Sequence, residues 1–167
     1  FKPIMNKAIR NKLPVRGYIS CVSHCPYEDY VDPSKVAEIA NKLINMGCYE
    51  VSLGDTTGKG NAEQTLKVIE ECLNFINPKF LAGHFHDTYQ NALDNIKVCI
   101  ESGIRTFDSS VGGLGGCPYS PGAKGNVATE KVNELVLSMG YKTNLDSLKI
   151  NECSHIAKQL KMIGSCS

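Results

Sequence analysis

The segment FLAGHFHDTY, residues Phe80–Tyr89, is an apolar run that ends in a polar turn. This pattern is typical of a buried strand that leads into a loop. Because side chains alternate faces along a strand, His84 and His86 lie on one face and Phe85 lies on the other. Two neighbouring imidazoles make half of a metal site, and the alternative is a pair of solvated histidines at a strand edge.

A strand, a polar loop and a helix follow one another four times along the chain. The predicted strands begin at Val15, Tyr49, Phe80 and Ile104, about thirty residues apart on average, which is the length of a βα unit in a TIM barrel. One further helix is predicted over 145–163. An open doubly wound sheet is the alternative, but no glycine-rich dinucleotide turn follows the first strand. We therefore predict an α/β fold that forms half of a (β/α)8 TIM barrel.

Side chains that could bind a metal or transfer a proton lie where the predicted strands end. Asp55, the histidine pair and Cys117 all come at or just after a carboxyl end, where barrels and open α/β enzymes build their sites. Asp55 lies in SLGDTTGKG, and its alternative role is a cap or turn residue between two glycines. The GKG loop is too short to be a phosphate-binding P-loop.

The segment VGGLGGCPYSPGAKGNVATE, residues Val111–Glu130, is the most specific in the chain. Four glycines, the last of them Gly116, precede Cys117 and let the backbone bring a thiol close to a ligand. A thiol near a cation has a lowered pKa and can move protons, whereas a buried free cysteine is inert. Asn126 offers an amide oxygen of the kind that a hard cation accepts, and its alternative role is a turn residue after Gly125.

Composition limits the classes of protein and partner. The 167 residues are 42% hydrophobic, which is enough for one domain with a real core, and the net charge of +1 has both signs interspersed, unlike a nucleic-acid-binding surface. No apolar run approaches the roughly eighteen residues of a membrane span. Of eight cysteines, Cys72 and Cys99 fall in predicted helices, so we expect reduced thiols and no secretion. Cys21 and Cys25 lack the second pair that structural zinc needs.

Four motifs together resemble the 3-hydroxy-3-methylglutaryl-CoA (HMG-CoA) lyases, within the larger group of metal-dependent barrel lyases and synthases. The motifs are GHFHDTY, SLGDTTGKG, VRGYISCVSHCPYE and GGLGGCPYSPGAKGN, and the resemblance runs from about Phe1 to Tyr141. The larger group shares the histidine pair, whereas the GGCPY loop is narrower and points to the lyases. The resemblance implies a TIM barrel that cleaves HMG-CoA to acetyl-CoA and acetoacetate.

The resemblance also implies a metal centre and a catalytic thiol. By matching motifs, His84, His86 and Asn126 would be ligands of Mg²⁺ or Mn²⁺, and Cys117 would be the catalytic thiol. The cation would lower the pKa of the substrate's tertiary hydroxyl, and the thiol would deliver a proton to the acetyl-CoA enolate.

Three further residues receive supporting roles from the same resemblance. Asp55 would contact substrate or help proton transfer. Glu130 would lie in the shell that supports the metal site, and Gly116 would lie beside the thiol.

The chain departs from the family at its amino end. The family's first strand carries an Arg-Asp pair that polarises the thioester carbonyl and completes the metal ligands, and nothing before Val15 matches it. We therefore expect 1–141 to be the C-terminal half of the barrel domain, its last four βα units, and 142–167 to be a helical extension. Alone, such a half-barrel leaves two strand edges unpaired, so we expect it to be poorly stable and inactive or nearly so.

Partners and compartment follow from the same comparison. The expected partners are HMG-CoA and the missing N-terminal half, with a homodimer for the parent protein and neither nucleic acid nor membrane. A reduced thiol suits a mitochondrial matrix or a bacterial cytoplasm.

Two other functions stay open. A related metal-dependent aldolase, or a synthase that condenses an acyl-CoA with a 2-oxo acid, would keep the histidine pair without needing the GGCPY loop. Replacing Cys117 by alanine would leave that activity nearly intact, but would lower a lyase activity by orders of magnitude. A non-catalytic half-barrel would need neither histidine and no metal.

Overall fold

A four-stranded parallel sheet forms the centre of the computed structural model, which describes residues 1–116 and 125–164, with side chains through residue 160. The strands are β1 (Arg16–Ile19), β2 (His24–Cys25), β3 (Asp29–Tyr30), β4 (Glu50–Asp55), β5 (Leu81–Phe85) and β6 (Thr106–Asp108). The helices are α1 (Lys2–Arg10), α2 (Pro33–Asn45), α3 (Ala62–Leu73), α4 (Ala92–Glu101), α5 (Thr129–Ser138) and α6 (Ser147–Gly164). The sheet order is β1-β4-β5-β6, so each strand lies next to the one that follows it in the repeat.

All four predicted βα units are present, and their helix starts follow the sequence signals. Asp32 caps α2 by accepting a hydrogen bond from the Ser34 backbone N–H at 3.0 Å, ahead of a proline in the first turn. Asn61 and Gln64 form a reciprocal capping box at the start of α3. Gly47, with φ of +105°, follows the end of α2.

Strand alternation gives the sheet two different faces. Val51, Leu53, Leu81 and Phe85 are at most 3% exposed and belong to the hydrophobic core together with residues of the surrounding helices. The opposite face, which would be the interior of a closed barrel, carries mainly polar side chains. Its members are Arg16, Tyr18, Glu50, Ser52, His84 and Asp108.

The outer edges of the sheet are open. Within the described residues, β1 pairs along the sheet with β4 alone and β6 with β5 alone. Unpaired edges of this kind favour association with another strand. The expected low stability of the isolated chain is consistent with these edges and stays a prediction.

An antiparallel hairpin, β2 paired with β3, was not predicted. The sequence indicated a polar turn between β1 and α2, because two-residue strands give no periodic signal. The Val31 backbone N–H donates to the Ser23 carbonyl at 3.0 Å, and Asp29 takes a positive φ of +61° at the turn. The hairpin therefore holds residues after β1 close to the carboxyl ends of the strands.

The last helix, α6, packs against α5 and against a 3-10 turn at Val111–Gly113. Within 147–160, the buried residues of α6 are Ser154 and Ala157, at 3% and 6% exposure. The division of the chain into a barrel half over 1–141 and an extension over 142–167 stays a prediction.

Two core thiols should be inert in the native protein. Burial raises the pKa of Cys72 and of Cys99 to about 12, so almost no thiolate forms near neutral pH. We expect neither to react with iodoacetamide at pH 8 before denaturation, whereas the exposed Cys153 should react readily. Mass spectrometry of labelled peptides gives the measurement. Equal labelling of Cys99 and Cys153 under native conditions would contradict the described core.

Candidate metal centre

The two histidines lie side by side at the carboxyl end of β5. Their ring centroids are 5.6 Å apart, with 49° between the ring planes. His86 is 6% exposed, whereas His84 is half-buried. Both rings line one cavity, so the structure agrees with the prediction that they share a face.

The hydrogen bonding and the protonation of the two rings show whether they could hold a metal. The Nδ1 atoms of His84 and His86 have no hydrogen-bond partner among residues 1–116 and 125–164. Burial lowers the pKa of His86 and the neighbouring His84 lowers it further, while Asp55 and a backbone hydrogen bond with Thr56 act in the opposite direction. A neutral imidazole is the form that coordinates a metal. The pair therefore fits a divalent cation.

Asn126 lies beside His86 although forty residues of sequence separate them. The two residues face each other across a single antiparallel bridge. The Val127 backbone N–H donates to the Phe85 carbonyl at 3.0 Å, and the Asn126 Nδ2 donates to the Leu114 carbonyl at 2.9 Å. Since the amide nitrogen is engaged, the amide oxygen is the atom available to a cation.

The ligand set within the described part of the chain is partial. No group of three or more His, Cys, Asp or Glu side chains there could hold a metal ion. Two imidazoles and one amide oxygen leave room for further oxygen ligands, as a hard cation prefers. The ligand assignments of His84, His86 and Asn126 stay predictions.

Asp55 ends β4 with the strand parity of Val51 and Leu53, and its charge favours the protonated form of the nearby His86. Asp55 is 1% exposed. Its carboxylate accepts hydrogen bonds from the Ser23 hydroxyl at 2.8 Å and from the Gly60 backbone N–H at 3.0 Å. These contacts tie the loop after β4 to the segment after β1, which supports the structural role considered for this residue. Its predicted contact with substrate is not tested.

Glu130 joins the glycine-rich segment to α6. Its Oε2 accepts from the Gly112 backbone N–H at 3.1 Å, and its Oε1 accepts from the Ser154 hydroxyl at 2.5 Å. Burial acts to raise the pKa of Glu130, but the hydrogen bonds with Ser154 and Gly112 outweigh it and lower the pKa. Gly116 lines the same cavity as the histidines, and Cys117 lies outside the described residues.

The cavity that the histidines line has a volume of about 580 Å³. One wall is the unpredicted hairpin, which contributes Cys25 and Pro26 together with the adjoining Tyr27. Another wall is the end of β4, where Gly54 lines the cavity. A ligand of the histidine pair would therefore contact the hairpin.

A cluster of charges on the barrel-facing side was missed by the sequence analysis. The Arg16 Nη1 lies 2.8 and 2.9 Å from the two carboxylate oxygens of Asp108, and the Arg16 Nε donates to Glu50 at 2.6 Å. The Ser52 hydroxyl donates to Asp108 Oδ2 at 2.8 Å. The sequence carried a signal for this cluster, because three of the predicted strands each contain a charged residue, namely Arg16, Glu50 and Asp108.

Comparison with known proteins gives a matching family and relatives that are named as lyases. The HMGL-like family matches residues 6–157 of the chain. Hydroxymethylglutaryl-CoA lyase of Pseudomonas mevalonii is 49% identical over 146 residues, covering 87% of this chain and 48% of that protein. The 3-hydroxy-3-isohexenylglutaryl-CoA/hydroxy-methylglutaryl-CoA lyase of Pseudomonas aeruginosa is 52% identical over 146 residues, covering 87% and 49%. The chain spans about half the length of the curated relatives it matches.

Solved structures confirm the predicted fold. The crystal structure of the HMG-CoA lyase from Brucella melitensis superposes with a TM-score of 0.93 at 45% identity, and the match covers 96% of this chain and 57% of that chain. The α/β architecture is thus that of half a TIM barrel. Relatives include bacterial proteins and proteins named as cytoplasmic or mitochondrial, so the expected compartment stays a prediction. None of the helices in the described ranges is long and apolar enough to cross a membrane.

Proposed function

Since the chain belongs to the HMGL-like family, we propose that the protein carrying it is a carbon–carbon lyase that cleaves HMG-CoA to acetyl-CoA and acetoacetate. The observation that carries the proposal is the histidine pair at the end of β5, with Asn126 bridged to His86 and an open cavity in front. The names of relatives at 49% and 52% identity support a lyase over a related aldolase or synthase.

A divalent cation fits the site, and metal dependence is general in the family. We assign its protein ligands in this chain to His84, His86 and Asn126, and its identity to Mg²⁺ or Mn²⁺. When bound, it supplies a Lewis acid that lowers the pKa of the substrate's tertiary hydroxyl. The buried His86 contributes by staying neutral, because burial and the adjacent His84 disfavour its protonated form.

Cys117 is the proposed proton donor. In the reaction an imidazole or carboxylate beside the substrate accepts the hydroxyl proton, and the carbinol oxygen becomes the ketone of acetoacetate. The bond from the carbinol carbon to the thioester α-carbon breaks, and its electron pair forms the acetyl-CoA enolate. The enolate then takes a proton from the thiol. Cys117 follows Gly116 directly, and Gly116 lines the histidine cavity. A thiol at this point of the chain suits that step.

The rest of the site would come from the other half of a complete barrel. The two open sheet edges and the half-length match to the relatives support a missing N-terminal half that supplies further ligands. We propose that the full-length protein is a homodimer, and that Asp55 and Glu130 hold the loops around the site.

The proposal is tested by measuring acetoacetate release from HMG-CoA with the full-length protein and with this chain alone. We expect turnover by the full-length protein only, lost on chelation with EDTA and restored by Mg²⁺ or Mn²⁺. Condensation of acetyl-CoA with a 2-oxo acid serves as the comparison reaction. Absence of acetoacetate release by the full-length protein would contradict the proposed lyase activity. Full turnover by the isolated chain would contradict the proposal that this chain holds only half of the site.

A further inference from the structure

Asp108 ends β6 directly beside His84. The two residues are partners in the parallel register of β5 and β6, and both face the interior side of the sheet. Asp108 Oδ2 lies 3.4 Å from His84 Nδ1. This distance is within ion-pair range but longer than a normal hydrogen bond. The same Nδ1 is buried and has no hydrogen-bond partner in the described ranges. Asp108 is thus the nearest charged acceptor for a proton on Nδ1.

The carboxylate of Asp108 is itself held in place from two sides. Arg16 contacts both of its oxygens, at 2.8 and 2.9 Å, and the Ser52 hydroxyl donates to Oδ2 at 2.8 Å. Burial acts to lower the pKa of Arg16, but the hydrogen bonds with Glu50 and Asp108 raise it, so the guanidinium stays charged. The side chain of Arg16 is 14% exposed, which limits screening of this pair by water. The carboxylate therefore has little freedom to leave His84.

We propose that Asp108 is a positioning residue that fixes the tautomer and orientation of His84. Its carboxylate favours the proton on Nδ1, which leaves the lone pair of Nε2 for a divalent cation. Carboxylates commonly orient metal-binding histidines in this way. The inference rests on the proposed function, because it assumes that His84 binds a cation.

The substitution Asp108→Asn tests whether the carboxylate sets the tautomer of His84. Three donors are directed at the Asp108 carboxylate: the Arg16 guanidinium, the Ser52 hydroxyl and the Nδ1–H of His84. An asparagine has only one side-chain oxygen to accept from them, so its amide N–H must face one of the three donors. Where that donor is His84, the amide favours the other tautomer and blocks Nε2. Because the shape of the side chain is kept, Asp108→Asn should change the fold little.

The measurement is the Kd of Mn²⁺ for the full-length protein, followed by the electron paramagnetic resonance signal of free Mn²⁺. We expect Asp108→Asn to raise this Kd by about 10- to 100-fold. A two-bond ¹H–¹⁵N correlation spectrum of the metal-free protein should show His84 protonated on Nδ1 in the wild type and on Nε2 in the variant. If Asp108 had only a structural role, the substitution would change neither the Kd of Mn²⁺ nor the tautomer of His84. Asp94→Asn, an exposed acid on α4, is the matched control and should leave both unchanged.

A second variant covers the case in which Asp108→Asn does not fold. Ser52→Ala removes one hydrogen bond to Oδ2 and keeps the carboxylate, so it should raise the Kd measurably but by less than tenfold. Wild-type binding of Mn²⁺ with an unchanged Kd in every variant that folds would overturn the role of Asp108 alone. Absence of Mn²⁺ binding to the wild type would overturn the proposed metal site and with it this inference.

Discussion

Replacing His86 by alanine should lower the HMG-CoA lyase turnover of the full-length protein by roughly a thousandfold, equivalent to about 4 kcal/mol of transition-state stabilisation. His86 is 6% exposed and lies between His84 and the Asn126 bridge. Its removal would take away one of the three ligands proposed in this half of the barrel, and the remaining ligands would bind a cation weakly. The measurement is kcat at saturating substrate with Mg²⁺ raised until the rate no longer increases.

A control separates loss of the metal from loss of the fold. His155→Ala removes an exposed histidine on α6, and it should leave kcat and the Mn²⁺ content unchanged. The His86→Ala protein should lose bound Mn²⁺ while keeping a cooperative thermal transition. Turnover within threefold of the wild type would exclude His86 as a ligand that the reaction requires.

The parts of the structure that sequence predicted are those governed by local rules. Alternation along a strand places His84 and His86 on one face, because that relation depends only on two backbone dihedrals per residue. The βα repeat follows from strand spacing. The structure adds caps such as Asp32 and Asn61, whose hydrogen bonds also reach only two or three residues along the chain. Both kinds of prediction are confirmed.

The parts that sequence did not give depend on contacts between distant segments. Asn126 could be proposed from its residue type, but its place beside His86 is set by backbone hydrogen bonds between the 125–127 segment and the end of β5. The pairing of Arg16 with Asp108 spans 92 positions of sequence. Nothing in local propensity specifies which distant charge a buried arginine will meet.

The position of Asp55 in the sheet follows from a signal that the sequence carries, its parity along β4. Alternation in β4 places Asp55 with Val51 and Leu53, on the face that packs against the helices. Its hydrogen bonds with Ser23 and Gly60 hold the carboxylate at the end of the strand. Its predicted role in substrate contact or proton transfer stays a prediction.

The Gly125→Ala substitution should destabilise the protein by about 3 kcal/mol or more, from backbone strain together with lost hydrogen bonds. A Cβ at this position would lie 1.9 Å from the Gly115 carbonyl oxygen, and Gly125 has φ of +92°. Because the obstacle is backbone, no side-chain rotation relieves the clash, and the segment must move. Its movement would weaken two hydrogen bonds of 3.0 Å, from the Asp87 backbone N–H to the Gly125 carbonyl and from the Val127 backbone N–H to the Phe85 carbonyl.

The same movement should reduce activity, since it displaces Asn126 from His86. A shift of about 1 Å in a ligand can cost roughly 100-fold in rate. Chemical denaturation gives the change in unfolding free energy, and acetoacetate release gives the rate. Gly140→Ala is the matched control, because Gly140 also has a positive φ, of +82°, but no heavy atom of the described residues lies within 4 Å of the added Cβ. The control should therefore lose only about 1 kcal/mol, the cost of the left-handed conformation. Equal losses in the two variants would show that the 125–127 segment does not pack against Gly115, and the position assigned to Asn126 beside His86 would then be wrong.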